Sequence, residues 1–331
     1  MRISKLSLLA AVLFSVSACG DDTPEVIAIP DTGHQVTVSK NSLRDARSEF
    51  STQIIQTSFT DSGNIETPPD DIYKLIHYPT KLGDMAAYVT PAPKDGKRHP
   101  AVIWVHGGYG GLSDSDYFWE PQDRDNDQSG SAFRKAGLVE MIPSFRGEDK
   151  NPGKYEMFYG EVEDIEAAFD WLAQQPYVDP QRIYLAGHST GGTRVLLTSE
   201  YSSKFRAYFS LGAVPDLKAR VEGGQMMVPV PFEKTDQEYR LRSPATFITS
   251  IQKPTWYFEG GNDYWSAFDN IAQVAKKHKV PFSVKKIPNG DHFTIIAPVT
   301  EMIAQKILQD TGEECNITFS DADIARIDDE L

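Results

Sequence analysis

Three observations predict an α/β fold with a mainly parallel central sheet and helices on both faces. From residue 101 onward, short apolar runs alternate with amphipathic stretches, as strands alternate with crossover helices. The run Ala101-Val102-Ile103-Trp104-Val105 is apolar without a break, which is how a strand buried on both faces reads. The strand-like Ile183-Tyr184-Leu185-Ala186 passes through Gly187-His188-Ser189-Thr190-Gly191-Gly192 directly into the helical run Thr193-Arg194-Val195-Leu196-Leu197.

Size and charge narrow the function. With 331 residues, 40% of them hydrophobic, the chain is long enough for a large core. A net charge of −14 excludes the basic face that nucleic acid requires and disfavours electrostatic binding to anionic lipid. No protein partner is implied.

Met1-Arg2-Ile3-Ser4-Lys5 is a short basic start, and residues 6–16 are an apolar run that is short for a membrane span. Val16-Ser17-Ala18-Cys19 resembles the bacterial lipobox. That resemblance implies removal of residues 1–18, lipidation of Cys19 as the sole membrane contact, and a periplasmic or outer-membrane lipoprotein. Plain secretion after Ala18 is the alternative. Cys315 is then a lone thiol.

Residues 19–70 read as a tether and N-terminal extension. Pro24, Pro30 and Gly33 punctuate the tether, and a short helix over residues 42–50 has Ser42 as N-cap. Residues 71–310 carry the α/β pattern. Strands are expected at 72–78, 85–89, 101–105, 138–142, 183–186, 207–211, 255–258 and 282–287, from period-2 or continuous apolar runs. Helices are expected at 131–136, 161–174, 268–278 and 299–308. The second of these aligns Val162, Ile165, Phe169 and Leu172 on one face. Residues 216–250 interrupt the alternation with Gly223-Gly224, Met226-Met227 and three prolines, and read as a cap-like insertion with small helices. Residues 311–331 read as an acidic, solvated tail.

The chemistry centres on Gly187-x-Ser189-x-Gly191. A serine on a tight strand-to-helix turn projects its hydroxyl clear of the sheet, next to the unpaired N–H groups of the following helix. A serine needs a base, and the base needs a carboxylate to orient it. His292, in Asn289-Gly290-Asp291-His292-Phe293, and Asp263, in Glu259-Gly260-Gly261-Asn262-Asp263, follow successive expected strands and so fall at strand C-terminal ends. Asp216 is the alternative acid, with Glu259 and Asp291 also near. His106-Gly107-Gly108-Tyr109-Gly110-Gly111 follows the buried strand and matches an oxyanion loop. The expected oxyanion and binding residues are Thr190, Gly107, Gly108 and Tyr109, with the N–H of Thr190 and of Tyr109 or Gly108 as donors. No metal or cofactor is required. The acidic loop Asp123-Arg124-Asp125-Asn126-Asp127 departs from a calcium loop at Gln128 and Arg134 and reads as solvated. Tyr117, Phe118, Trp119, Trp265 and Phe293 either line an apolar pocket or pack the insertions.

Across residues 72–308 these motifs, with Phe145-Arg146-Gly147, Phe169-Asp170-Trp171-Leu172 and Val178-Asp179-Pro180-Gln181-Arg182-Ile183, resemble the α/β-hydrolase superfamily. Within it they resemble the catalytic domain of the prolyl oligopeptidase family and related bacterial esterases. The resemblance implies a Ser189–Asp263–His292 serine hydrolase acting on a carboxylic ester or a short peptide. The segment before residue 72 is too short for the β-propeller of the oligopeptidases, so an ester is expected ahead of a peptide. A non-catalytic binding module on the same fold is the competing class.

Overall fold

The computed structural model describes residues 24–30, 32–56, 63–113, 117–261 and 264–331. The leader, Cys19 and Asp263 lie outside the described residues.

The first elements are strands β1 (Val26–Ile29) and β2 (His34–Thr37) and helix α1 (Leu43–Ser48). Then come β3 (Lys74–Thr80), β4 (Gly83–Val89), β5 (His99–Val105), α2 (Ser131–Lys135), β6 (Val139–Pro143) and α3 (Glu161–Ala173). Strand β7 (Val178–His188) leads through Ser189 into α4 (Thr190–Tyr201) and β8 (Tyr208–Leu211). The insertion holds α5 (Leu217–Glu222), α6 (Asp236–Arg240) and α7 (Pro244–Phe247). The chain continues through β9 (Thr255–Gly260), α8 (Trp265–Lys277), β10 (Phe282–Ile287), α9 (Ile296–Gln309) and α10 (Asp321–Glu330).

Among the described residues eight strands form one sheet in the order β10-β9-β8-β7-β5-β6-β4-β3. The β3–β4 and β4–β6 pairs are antiparallel, and the remaining pairs are parallel. Side chains of β5 and β7 alternate between two buried faces. Val102, Trp104, Tyr184 and Ala186 join the cluster that includes Val299, Ile303 and Ile307 of α9. Ile103, Val105, Ile183 and Leu185 join the cluster with Ile165 and Leu172 of α3 and Val195 of α4. Burial on both faces is the physical reason for the unbroken apolar run at 101–105.

This topology sets the position of the site. The connection after β5 runs to β6 on one side, whereas the chain after β7 turns into α4 and runs to β8 on the other. The C-terminal ends of β5 and β7 therefore flank a switch point, where open parallel sheets leave a crevice.

Two expectations at the chain's ends are corrected. Within the expected tether, residues 26–29 and 34–37 form an antiparallel hairpin. Ile27, Ile29, Val36 and Val38 are buried against Phe268, Ile271 and Val274 of α8, and Asn270 donates to the Ala28 carbonyl. The period-2 burial of these four residues overrides the prolines. The expected acidic tail ends in α10, where Ser320 and Asp323 form a reciprocal capping box. Ile327 of α10 and the preceding Ile317 and Phe319 pack into the sheet's core, and Lys306 pairs with Asp323. Ile324 and Ile327, three residues apart, put one apolar stripe of an otherwise acidic helix against the core. Helix α1 has Ser42 as N-cap, its hydroxyl accepting from the Asp45 N–H at 3.0 Å, as expected.

Of the aromatics in the insertion after β5, Phe118 is fully buried and packs edge-on against Tyr88 and His106. Tyr117 and Trp119 pack on the same cluster. They anchor the insertion to the sheet.

Glu140 on β6 is buried, and its Oε2 accepts from the Tyr73 hydroxyl at 2.6 Å while Oε1 has no partner. Burial pushes its carboxyl up to about 8, so the folded state keeps a proton that the unfolded chain releases near 4.5. Stability contributed here is present below the unfolded value and is lost as pH rises toward 8, by at most about 1.4 kcal/mol per pH unit. Glu140→Gln, which keeps the acceptor for Tyr73 and cannot ionise, should flatten the decline of the thermal midpoint between pH 5 and 8. An unchanged slope would remove Glu140 as its source.

Candidate active site

The site begins with a backbone constraint. Ser189 sits at φ 57 and ψ −114, a conformation that L-residues rarely adopt. Its N–H donates to the Leu211 carbonyl at 2.8 Å, and its carbonyl accepts from Thr193 at 2.9 Å. The turn is so tight that a Cβ on Gly187 or Gly191 would collide with the Val105 carbonyl oxygen, and one on Gly192 with that of Leu211. These glycines let β5, β7, β8 and α4 close around the serine, and the closure holds its backbone in place.

His292 comes from the loop after β10. Its Nε2 lies 3.1 Å from Ser189 Oγ, so the hydroxyl donates to that nitrogen when the ring is neutral. A second histidine supports it. His188 Nε2–H donates to the His292 carbonyl at 2.7 Å, and His188 Nδ1 accepts from Gln128 Nε2 at 2.9 Å. Gln128 Oε1 in turn accepts from the Gly107 N–H at 3.1 Å. One hydrogen-bonded chain thus ties the His106–Gly111 loop to the His292 loop through the residue before Ser189. Burial pushes the His188 imidazole down to about 3, with the neighbouring His292 adding to the shift. His188 therefore stays neutral, as a donor–acceptor pair requires. His106 is likewise pushed down to about 4 by burial and faces the Gly107 carbonyl at 2.8 Å.

The oxyanion loop is modified in one respect. The Gly107 N–H is engaged by Gln128, so Gly107 shapes the loop and is not a free donor. Of the loop residues expected to bind the oxyanion, this leaves Gly108 and Tyr109. Thr190 opens α4, so its N–H has no partner one turn back. The Thr190 hydroxyl donates to the Gly108 carbonyl at 2.5 Å and pins the loop over the helix end.

Asp263 lies outside the described residues. Among the described carboxylates, Glu259 faces the other ring nitrogen, with Oε1 3.9 Å from His292 Nδ1. Glu259 is buried at the end of β9 and also accepts from the Tyr257 hydroxyl. Asp216 is otherwise engaged, as N-cap of α5 and acceptor from Ser243. Asp291 accepts from the N–H groups of Phe293 and Thr294, an arrangement that holds its carboxyl below the usual range. No cluster of three metal-ligating side chains occurs among the described residues. In the acidic loop, Asp127 accepts from Ser129 and Ser131 while Arg124 pairs with Glu301.

Ser189 and His292 open into a cleft of about 260 Å³. Its walls include Tyr109, Phe158, Val214, Leu217, Arg220, Met226, Met227 and Phe293. The insertion supplies α5 and both methionines, and so forms one wall of the cleft. Phe293 belongs to this pocket, whereas Tyr117, Phe118, Trp119 and Trp265 do not line it. Gln128 and Arg220 had no role in the sequence reading. Gln128 stood there only as the residue that breaks a calcium pattern, and Arg220 is one of several charges on a short helix.

The model of the prolyl oligopeptidase family matches residues 127–307, more than half of the chain. The chain belongs to the prolyl oligopeptidase family. It is 31% identical over 139 residues to the uncharacterized peptidase YtmA of Bacillus subtilis (strain 168), an alignment covering 40% of this chain and 54% of that protein. The chain thus spans about half the length of this curated relative. A puromycin-hydrolyzing peptidase of Mycobacterium tuberculosis superposes with a TM-score of 0.57 at 21% identity, covering 72% of this chain and 39% of that one. An esterase of Pyrobaculum calidifontis superposes with a TM-score of 0.52 at 20% identity, covering 73% of this chain and 87% of that one. These superpositions establish the α/β-hydrolase fold.

Gln128 provides a test of the hydrogen-bonded chain. Gln128→Leu removes its side-chain bonds to Gly107, His188 and Asn126, each worth about 0.5–1.5 kcal/mol. The expected result is kcat lowered by roughly 10- to 100-fold with KM little changed. Loss of thermal stability with kcat intact would reduce Gln128 to a structural residue.

Proposed function

We propose that this family member is a serine hydrolase that cleaves short carboxylic esters through an acyl-enzyme. One observation carries the reading: the 3.1 Å approach of Ser189 Oγ to His292 Nε2 on a strained strand-to-helix turn. In the proposed mechanism, Ser189 Oγ attacks the carbonyl carbon as His292 Nε2 takes its proton. The carbonyl oxygen becomes an oxyanion held by the N–H groups of Thr190 and of Gly108 or Tyr109. His292 then protonates the leaving group, which departs as an alcohol. Water, deprotonated by His292, attacks the acyl-enzyme and regenerates the Ser189 hydroxyl. Asp263 is assigned to hold the imidazolium from Nδ1, the same nitrogen that the buried Glu259 carboxylate faces at 3.9 Å.

Short peptide amides are the second reading, and the family match favours it. Either way the cleft favours small substrates, since it falls at or below the ~300–1,000 Å³ common for small-molecule sites. The basic-apolar leader and Cys19 support a lipid-anchored location in the bacterial cell envelope as part of the same proposal.

Ser189→Ala should leave the fold intact and lower kcat by about 10⁶-fold, as loss of a triad nucleophile does elsewhere. Near-normal turnover would reject Ser189 as nucleophile. Rates on an activated acetyl ester and on a short peptide amide separate the two substrate readings. For the acid, Asp263→Asn should cost about 10⁴-fold in kcat. Asp216→Asn should mainly lower stability through its cap. If Glu259→Gln matches or exceeds the loss from Asp263→Asn, the acid is Glu259.

A further inference from the structure

The cleft beside Ser189 is walled mostly by apolar side chains, yet one strong cation faces it. Arg220 lies three residues after Leu217 on α5, so the two share a helix face, and both line the cleft. Among the described residues that line the cleft there is no carboxylate. Arg220 forms no ion pair among the described residues, and its recorded hydrogen bond is from Nη1 to the Tyr264 hydroxyl.

The carboxylates nearest in sequence are engaged elsewhere. Glu222 lies 3.1 Å from His34 Nε2 and 3.8 Å from Lys218 Nζ. Asp216 accepts from the Lys218 N–H and the Ser243 hydroxyl. These contacts belong to a second depression, lined by His34, Asp216 and Lys218, on the hairpin side of the insertion. Arg220 is therefore left as a guanidinium whose remaining donors are available to whatever fills the cleft. A guanidinium offers five N–H donors in a planar fork that matches a carboxylate bidentately. In a chain of net charge −14, a cation that lines the cleft beside Ser189 and forms no ion pair among the described residues is explained by an anion arriving with the substrate.

We propose that Arg220 anchors a free carboxylate on the substrate, so that the preferred substrates are short, monoanionic esters or amides whose carboxylate lies a few atoms from the scissile carbonyl. This rests on the serine hydrolase reading above. The carboxylate has two possible sources, the acyl part or the leaving group. The small cleft places either one within a short reach of Ser189.

Two substrate pairs distinguish these sources. 4-Acetoxybenzoate and its methyl ester carry the charge, or lack it, on the leaving group. 4-Nitrophenyl hydrogen adipate and 4-nitrophenyl hexanoate do the same on the acyl part. In one pair the wild-type protein should prefer the anion by about 10- to 100-fold in kcat/KM, the range a charged hydrogen-bonded contact supplies. R220Q should lower that anion-to-neutral ratio at least tenfold, mainly through KM of the anion, and R220K should restore part of it. A second measurement does not depend on turnover: calorimetric binding of N-acetylphenylalanine and of its amide to Ser189→Ala protein. The acid should bind more tightly, and the added R220Q change should abolish the difference. Equal rates on both pairs together with equal binding of acid and amide would overturn the proposal. So would an R220Q variant that slows charged and neutral substrates alike. Arg220-dependent binding without turnover of any ester or amide would sink the hydrolase reading and leave the anion site standing.

Discussion

The structure depends on one strained residue. Ser189 occupies a backbone conformation worth about 1–3 kcal/mol of strain, which persists only because its surroundings over-determine it. Bonds to Leu211 and Thr193 fix the turn from both sides, and the glycine contacts with Val105 and Leu211 leave no room for relaxation. Four elements (β5, β7, β8 and α4) meet at this point. The parallel pairing of β5 with β7, Val105 opposite Gly187, brings the oxyanion loop next to the serine. Ser189 and the His106–Gly111 loop are thus positioned by the same packing that closes the core.

The second level is polar. A chain from Gly107 through Gln128 and His188 to the His292 carbonyl joins loops that are far apart in sequence. Buried polar chains of this kind are stabilising only when every member is satisfied. A neutral His188 satisfies the condition, and burial enforces that neutrality. Farther out, the buried Arg194–Glu148 pair ties α4 to the loop after β6, and Arg146 with Asp164 ties that loop to α3. Helix α4 is therefore held from its flank as well as from its N-terminus.

Much of this was legible in the sequence because the signals were local. The unbroken apolar run of β5, the glycine spacing around Ser189 and the loop positions of His106 and His292 each follow from a short-range rule. The hairpin at residues 26–37 was equally local, with Ile27, Ile29, Val36 and Val38 in alternation, but its prolines drew the reading toward a tether. The acidic end hid α10 because net charge outweighed a capping box and one apolar stripe. The positions of Gln128 and Arg220 in the site were not legible at all. Each depends on long-range proximity, Gln128 to His188 sixty positions away and Arg220 to the cleft, and neither residue type announces it.

The central claim is that base, oxyanion donors and nucleophile are assembled around Ser189. Mapping a fluorophosphonate adduct by mass spectrometry on the folded protein tests it most directly. The account predicts a single adduct on Ser189 that is lost in His292→Ala. A folded protein that forms no adduct, or forms it on another serine, would contradict the account and favour a binding module that kept the fold without the reaction.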